Sequence, residues 1–288
     1  MPDIAYVNGA YLPLAEAHVS ILDRGFLFAD GVYEVAAVIG ARLIDNDAHL
    51  SRLENSLRQL KIAIPLSLQK IAEVEAELVA RNELSEGLVY LQITRGAAGD
   101  RDFGFPAGTT PTVVAFAQKK NIIASPAAET GVKVLTVPDI RWARRDIKSI
   151  ALLAQVLAKQ AALDAGCQEA WMVDHDGLVT EGSSSTAFIL TKANAILTRP
   201  NSSAILPGCT RKAVQSLAAR EGLTIEERSF SVTEAYEAKE AFLTSASNLV
   251  LPVVSIDGRP IGTGAPGANT RLLRKLYIDW ATNPAATG

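Results

Sequence analysis

Cysteine and histidine are scarce in this chain, and their scarcity removes several classes of function. The only cysteines are Cys167 and Cys209. Two isolated thiols make neither a disulfide framework nor a metal-ligand cluster, and they suit a reducing compartment. The three histidines, His18, His49 and His175, are scattered, so no metal site is expected. No apolar run approaches the roughly 20 residues of a membrane span, so no membrane partner is expected. The opening MPDIAYVNGAYLP lacks a basic segment followed by an apolar run. It therefore does not read as a signal peptide, and the expected location is cytoplasmic. Positive charge is not in excess either: the net charge is −3 and the sequence pI about 5.7. With no basic stripe carrying interleaved aromatics, nucleic acid is excluded as an expected partner. Internal repeats and low-complexity tracts are absent as well.

What remains is ordinary globular material, 288 residues long, 48% hydrophobic and 20% charged, enough for one large core or two smaller ones. AYVNGAYLP predicts a hairpin turning at Asn8-Gly9, and GVYEVAAVIGARLIDN a second one turning near Gly40-Ala41. DAHLSRLENSLRQLKI places Leu50, Leu53, Leu57 and Leu60 on one helical face, and residues 67–82 predict another helix. GLVYLQITRG and TPTVVAFAQ read as buried strands, separated by the Gly-rich loop AAGDRDFGFPAG. KKNIIASPAAETG breaks the pattern and reads as a linker. Beyond it, VKVLTVPDI predicts a strand, and a helix is expected from about Ser149 to Ala165. EAWMVD, GLVTEG and TAFILT predict strands, and AILPGCTRKAVQSLAAREGL the end of a strand followed by a helix from near Thr210. EAFLTSASNLVLPVVSIDGRPI predicts a strand and a last hairpin at Asp257-Gly258, and an amphipathic helix closes the chain. The pattern is α/β, with more strand-turn-strand than strict βαβ alternation. The expected division is a small domain over 1–118, a linker over 119–130 and a larger domain over 131–288.

Three small, hydroxyl-rich turns stand out in the second half: EGSSST (Glu181 to Thr186), LPGCT (Leu206 to Thr210) and TSAS (Thr244 to Ser247). LPGCTR also opens a helix, where unpaired N–H groups and the dipole favour an anion such as phosphate. One such turn is a common helix cap. Three in one domain, with the isolated Lys148 of RRDIKSIALLAQ, point to an anionic cofactor.

Several segments, in order, carry a resemblance. They are DRGFLFADGVYEV, HLSRLENS, DIRWARRDIKS, AKQAALDAGCQEA, VTEGSSS and LPGCTR. Through them the chain resembles the fold-type IV pyridoxal 5'-phosphate (PLP) enzymes, and most closely the D-amino acid transaminases. The resemblance runs over nearly the whole chain. It implies a two-domain α/β (α+β-like) fold whose larger C-terminal domain has a mixed-sheet, barrel-like core. Lys148 matches the Schiff-base lysine that also moves the proton between substrate and cofactor; without the resemblance, it reads as a surface lysine at a helix start. Glu181 matches the carboxylate that keeps the pyridine nitrogen protonated. Arg52 matches the arginine on the cofactor phosphate, which Thr210 and the Cys209 N–H would cap at the helix start. Ser245 and the backbone of Ala246 would join them. Leu206 matches the apolar residue against the ring face, and Ser184 lies in the turn near the ring.

For the substrate, Tyr33 and Val35 fall on the strand that lines the pocket in the family. Arg101 is the candidate carboxylate clamp. Here the chain departs from the best-known pattern, which has arginine, one residue, then histidine. This chain reads Arg101-Asp102-Phe103 in a loop one residue longer, so the histidine is missing and Asp102 is placed to draw Arg101 away.

The resemblance implies a ping-pong transaminase that moves the amino group of D-amino acids such as D-alanine or D-glutamate to 2-oxo acids, in a homodimer. Three alternatives share the cofactor: a branched-chain amino acid aminotransferase, an (R)-amine transaminase and an aminodeoxychorismate lyase. A PLP-free α/β binding protein is the alternative from another class.

Overall fold

The computed structural model describes residues 3–283, so the outermost ends of the two expected domains, 1–2 and 284–288, lie outside the described residues. The chain forms two compact units, Met1–Asn121 with Ile147–Ala151, and Ile122–Asp146 with Leu152–Gly288.

The first unit is a six-stranded antiparallel sheet with helices. Its strands are β1 (Ile4–Val7), β2 (Ala10–Pro13), β3 (Gly31–Ile39), β4 (Arg42–Leu43), β5 (Glu86–Thr94) and β6 (Thr112–Lys119), in the order β2-β1-β6-β5-β3-β4. The helices are α1 (Arg24–Phe28), α2 (Asn46–Gln59) and α3 (Leu68–Arg81). The first hairpin turns as expected: Asn8 and Gly9 take φ of 48° and 100°, the left-handed pair that a two-residue turn between twisted strands requires. The leucine stripe of α2 also behaves as its spacing predicts. Leu50, Leu53 and Leu57 join Ile71, Val74 and Leu78 of α3 in a core that includes Val32, Leu91 and Ile93 of the sheet.

The second unit holds α4 (Pro126–Thr130), β7 (Val132–Pro138), α5 (Leu153–Asp164), β8 (Glu169–Val173), β9 (Val179–Gly182), β10 (Thr186–Leu190) and β11 (Ile196–Thr198). It continues with α6 (Cys209–Arg220), β12 (Ile225–Glu227), α7 (Val232–Tyr236), β13 (Glu240–Ser245), β14 (Leu249–Ile256), β15 (Arg259–Pro260) and α8 (Ala268–Thr282). The nine strands form one mixed sheet, β12-β11-β10-β13-β14-β7-β8-β9, with β15 added to β14. Pairs β14–β7, β7–β8 and β11–β12 are parallel. Strand β9, at the end of this path, leads through residues 183–185 into β10 near its other end, so the sheet curls on itself as the barrel-like expectation requires. Trp171, Val179, Ile189, Leu243 and Val253 lie in its buried core.

Three local expectations are corrected. The helix expected from about Ser149 begins only at Leu153. Residues 148–150 are extended and pair with β3: Tyr33 N–H donates to Lys148 O at 3.0 Å, and Ile150 N–H to Gly31 O at 3.1 Å. Those backbone bonds occupy groups that a helical turn would need. The segment expected as a linker over 119–130 includes helix α4, whose Ala128 is buried in the second unit's core. Ala204–Leu206 is not a strand end. The strand there is β11, and the following residues are irregular, leaving the Leu206 N–H to a side chain described below.

Candidate active site

The candidate residues fall into two groups, one on each unit. In the first unit, alternation along β3 decides which way each residue faces. Tyr33 and Val35 are half-buried on one face, whereas Glu34 between them is buried on the other. Register places Val35 opposite Tyr90 and Tyr33 opposite Gln92. The Tyr33 ring stacks on Tyr90 at 5.7 Å and Tyr90 on Phe116 at 4.9 Å, forming an aromatic floor. Burial, followed by the nearby Tyr33 phenol, pushes the Tyr90 hydroxyl up to about 12, so it stays protonated and donates to Gln92 Oε1 at 2.7 Å.

Lys148 is brought onto this floor. Its Nζ lies 4.1 Å from the centroid of the Tyr33 ring. Its backbone is fixed by the Tyr33 N–H and by its own N–H, which donates to Ser56 Oγ at 3.3 Å. An amine so mounted has a hydrogen-bonded main chain and a half-buried side chain, which suits a group that must attach, release and move a proton.

Arg52 projects from α2, away from the leucine stripe. Its side chain is 9% exposed and grips Glu34, with Nε donating to Oε1 at 2.8 Å and Nη2 to Oε2 at 2.7 Å. His49 Nδ1 lies 2.7 Å from the same Oε2. Burial would raise the Glu34 carboxyl, but the Arg52 charge and the hydrogen bonds of Arg52 and His49 hold it at about 2. Glu34 and His49 carried no predicted role. Their signal was present, since a glutamate inside the apolar run GVYEVAAVI must find a partner if buried.

Arg101 is exposed, with its guanidinium over the rings of Phe28 at 4.9 Å and Phe103 at 5.5 Å. Asp102 does not draw it away; the Asp102 carboxylate turns back to the Gly104 N–H at 3.4 Å. The loop is moored from below. Arg24, held by Asp30, donates to Asp102 O at 2.6 Å and Phe103 O at 3.2 Å.

In the second unit, Glu181 is the third residue of β9, with its side chain 7% exposed. Arg141 Nη1 donates to its Oε1, and the Leu206 N–H lies 3.2 and 3.3 Å from its two oxygens. Leu206 is thereby placed beside Glu181. Arg141 lies within a segment that carries the family resemblance but had no assigned role. Ser184 is exposed, and its hydroxyl donates to Glu169 Oε2 at 3.1 Å. Buried Glu169 also gathers the hydroxyls of Ser183 and Ser185, which fixes the whole hydroxyl-rich turn. No sequence argument singled out Glu169, because the carboxylate heads an otherwise apolar strand.

The turn before α6 fits a phosphate. Cys209 and Thr210 open the helix and are buried. The N-cap is Gly208, which offers no side-chain cap to the first N–H groups. A Cβ at Gly208 would fall 2.9 Å from Thr186 Oγ1, so any other residue there would push the Thr186 side chain aside. Thr244, paired with Thr186 across β13 and β10, has a buried Oγ1 with no hydrogen-bond partner among the described residues. Ser245 Oγ lies 3.3 Å from Ser247 Oγ, and Ala246 sits in the turn that follows. Free N–H groups, an orphaned hydroxyl and a helix dipole form a donor set for an anion. The residues present therefore fit the phosphate of PLP.

Comparison with known proteins agrees with this chemistry. The family model for class IV amino-transferases matches residues 31–256. A D-alanine aminotransferase of Bacillus licheniformis is 41% identical over 266 residues, covering 92% of each chain. One from Staphylococcus aureus (strain MSSA476) is 36% identical over 274 residues, covering 94% of this chain and 95% of its own. Among solved structures, the T.th. branched-chain amino acid aminotransferase with pyridoxamine 5'-phosphate superposes with a TM-score of 0.90 at 25% identity, covering 98% of this chain and 95% of that one. The Escherichia coli branched-chain enzyme has the same fold, with a TM-score of 0.90 at 22% identity over 98% of this chain and 95% of its own. A half-buried lysine beside a bridge to β3, a buried carboxylate, an anion-ready helix start and a family match spanning most of the sequence converge: this chain belongs to the class IV aminotransferases.

Proposed function

We propose that this protein is a PLP-dependent D-amino acid transaminase, moving the amino group of D-amino acids such as D-alanine to 2-oxo acids by a ping-pong route. One observation carries the choice of substrate: the 41% identity to a D-alanine aminotransferase, spread over 92% of both chains. PLP supplies an electron sink for the electrons released at the substrate Cα.

The chain's own residues divide the remaining work. Lys148 Nζ is the amine that holds the cofactor and then carries the proton at the substrate Cα. Glu181 balances the charge of the protonated ring nitrogen. Arg52, Thr210, the Cys209 N–H, Ser245 and the Ala246 backbone bind the phosphate. Leu206 packs on the ring, and Ser184 borders it. Tyr33, Val35 and Arg101 receive the substrate, with Arg101 as the donor to its carboxylate. In the sequence, the expected domains that supply these residues, 1–118 and 131–288, lie on either side of the segment 119–130.

A homodimer in the cytoplasm completes the reading. Leu153, Val156 and Leu157, on one face of α5, are 72%, 58% and 54% exposed, an apolar stripe that a second copy would cover. Among the described residues, no helix is long and apolar enough to cross a membrane. A branched-chain aminotransferase is the second reading, favoured by structural similarity to the T.th. enzyme at 27% identity in its complex with N-(5'-phosphopyridoxyl)-L-glutamate.

The deciding experiment is a donor panel of paired D- and L-amino acids with (R)-1-phenylethylamine, using pyruvate and 2-oxoglutarate as acceptors. D-alanine and D-glutamate are expected to lead. Preference for L-leucine or L-valine would replace this reading with the branched-chain one, and preference for the amine would move the enzyme to the (R)-amine group.

A further inference from the structure

Arg141 has no part in the functions assigned above, yet it makes the ion pair with Glu181. Its guanidinium is divided between two carboxylates. Nε and Nη2 donate to Asp139 Oδ1 at 3.0 Å and Oδ2 at 2.7 Å, while Nη1 donates to Glu181 Oε1. All three side chains are buried, at 0%, 5% and 7% exposure for Asp139, Arg141 and Glu181. Asp139 is itself satisfied by the backbone N–H of Arg141 at 3.1 Å and the Thr180 hydroxyl at 2.7 Å. Burial works against the charged forms of Asp139 and Arg141. Their mutual hydrogen bonds and attraction outweigh it, keeping Asp139 below the usual carboxylate range and Arg141 above its ordinary value.

This arrangement answers a problem of charge. A carboxylate that must balance a cationic ring nitrogen gains a fixed orientation from an arginine, but a full positive charge beside it would cancel the potential it is there to supply. Asp139 removes that conflict, because it takes two of the guanidinium's donors and offsets its charge. Two further arginines border the group. Arg145 Nε lies 3.4 Å from Asp139 Oδ2, and Arg211 feels the Glu181 charge from the first turn of α6 but is paired with Glu227 at 3.0 Å. We propose that Asp139 and Arg141 act together as positioning residues for Glu181: Arg141 holds the carboxylate in place, and Asp139 neutralises Arg141 so that Glu181 keeps its negative charge for the ring nitrogen. The inference rests on the reading of Glu181 as the partner of that nitrogen.

The two residues then have separable effects, which a merely structural role would not produce. In the holoenzyme reconstituted with PLP labelled with 15N at the ring nitrogen, the chemical shift of that nitrogen reports its proton directly. Glu181→Gln should move the shift toward neutral pyridine. Asp139→Asn, which keeps the shape but leaves the arginine's charge uncovered, should move it the same way, lowering the protonated-to-neutral ratio about tenfold. Arg141→Lys keeps the charge but loses the fork that holds Glu181, so it should move the shift part of the way toward neutral pyridine and weaken PLP binding about tenfold through one lost charged hydrogen bond. A wild-type shift in Asp139→Asn, with a moved shift in Glu181→Gln, would overturn the charge-neutralising role. A wild-type shift in Arg141→Lys would overturn the positioning role, and tests the inference by itself if Asp139→Asn does not fold. An unmoved shift in Glu181→Gln sinks the underlying reading instead, and the inference with it.

Discussion

Arg52 in the first unit and Arg141 in the second are both buried arginines gripped by carboxylates, but the pairs face opposite tasks. At Arg52 the carboxylate serves the arginine: Glu34 takes Nε and Nη2, and in the proposed site it aligns the cation for the cofactor phosphate. At Arg141 the proposed order is reversed: the arginine holds Glu181 for the ring nitrogen, while Asp139 takes the arginine's other donors. The same contact thus presents either sign, according to which partner is already neutralised by a third group. His49 adds a donor to Glu34 in the first cluster, whereas Asp139 adds an acceptor to Arg141 in the second. A buried ion pair says little about function until its third member is known.

The largest effect is expected at Lys148, which lies outside both clusters. Lys148→Ala should lower turnover by roughly ten-thousandfold, the upper range for a positioned proton-transfer group, while PLP is retained through the phosphate donors. Borohydride reduction of the wild type followed by peptide mapping should place the pyridoxyl group on Lys148; label on Lys133 or Lys159 would refute the assignment.

Next in size is the first cluster itself. Glu34→Gln leaves the Arg52 guanidinium buried without its counter-charge and should cost about 3–5 kcal/mol in denaturant unfolding. The pH dependence has a definite sign. The Glu34 carboxyl falls from 4.5 to about 2 on folding. Its stabilisation is present above about pH 4.5 and is lost as pH falls toward 2. The variant should therefore show a flatter stability profile across that window, and a slope equal to the wild type's would mean that Glu34 does not hold this charge.

Glu75 of α3 sharpens the contrast, because it is a buried carboxylate without an arginine. It accepts a hydrogen bond from Asn46 Nδ2 at 2.9 Å. Burial raises it from 4.5 to about 7, which Asn46 and His49 only partly oppose. Here the sign reverses: the stability of the protonated form is complete below about pH 4.5 and is lost as pH rises through about 7. Glu75→Gln should be neutral near pH 4 and stabilising by about 3 kcal/mol above about pH 8. Equal stability of variant and wild type at pH 8 would rule out a protonated Glu75 in the fold.

The smallest effect is expected at an arginine with no buried partner. Arg101→Ala should remove one charged hydrogen bond to the substrate carboxylate, about 2–3 kcal/mol, and so reduce kcat/KM for D-alanine by roughly 30- to 160-fold. Turnover of (R)-1-phenylethylamine, which has no carboxylate, should fall much less. An equal loss on both donors would mean that Arg101 only braces the loop that Arg24 moors.

Local chemistry by itself determined much of this protein. Asn8-Gly9 and Asp257-Gly258 specify their hairpins because those pairs tolerate positive φ, and the leucine spacing of α2 specifies which face is buried. Arg52, Lys148, Glu181 and the helix start at Cys209-Thr210 stood out through family motifs, which carry residue identity but not partners. Tertiary structure decided the rest. Residues 148–150 favour a helix by local propensity, yet they are extended because β3, more than a hundred residues earlier, offers them hydrogen bonds. Glu34 looks like an intruder in an apolar strand until α2 brings Arg52 and His49 against it. Arg141 looks like one of several surface cations until the sheet places Asp139 on one side of it and Glu181 on the other. Turns and amphipathic faces are governed by neighbours within a few residues, so they can be read along the chain. The partner of a buried charge is chosen by strand register and helix packing, and it exists only once the chain has folded.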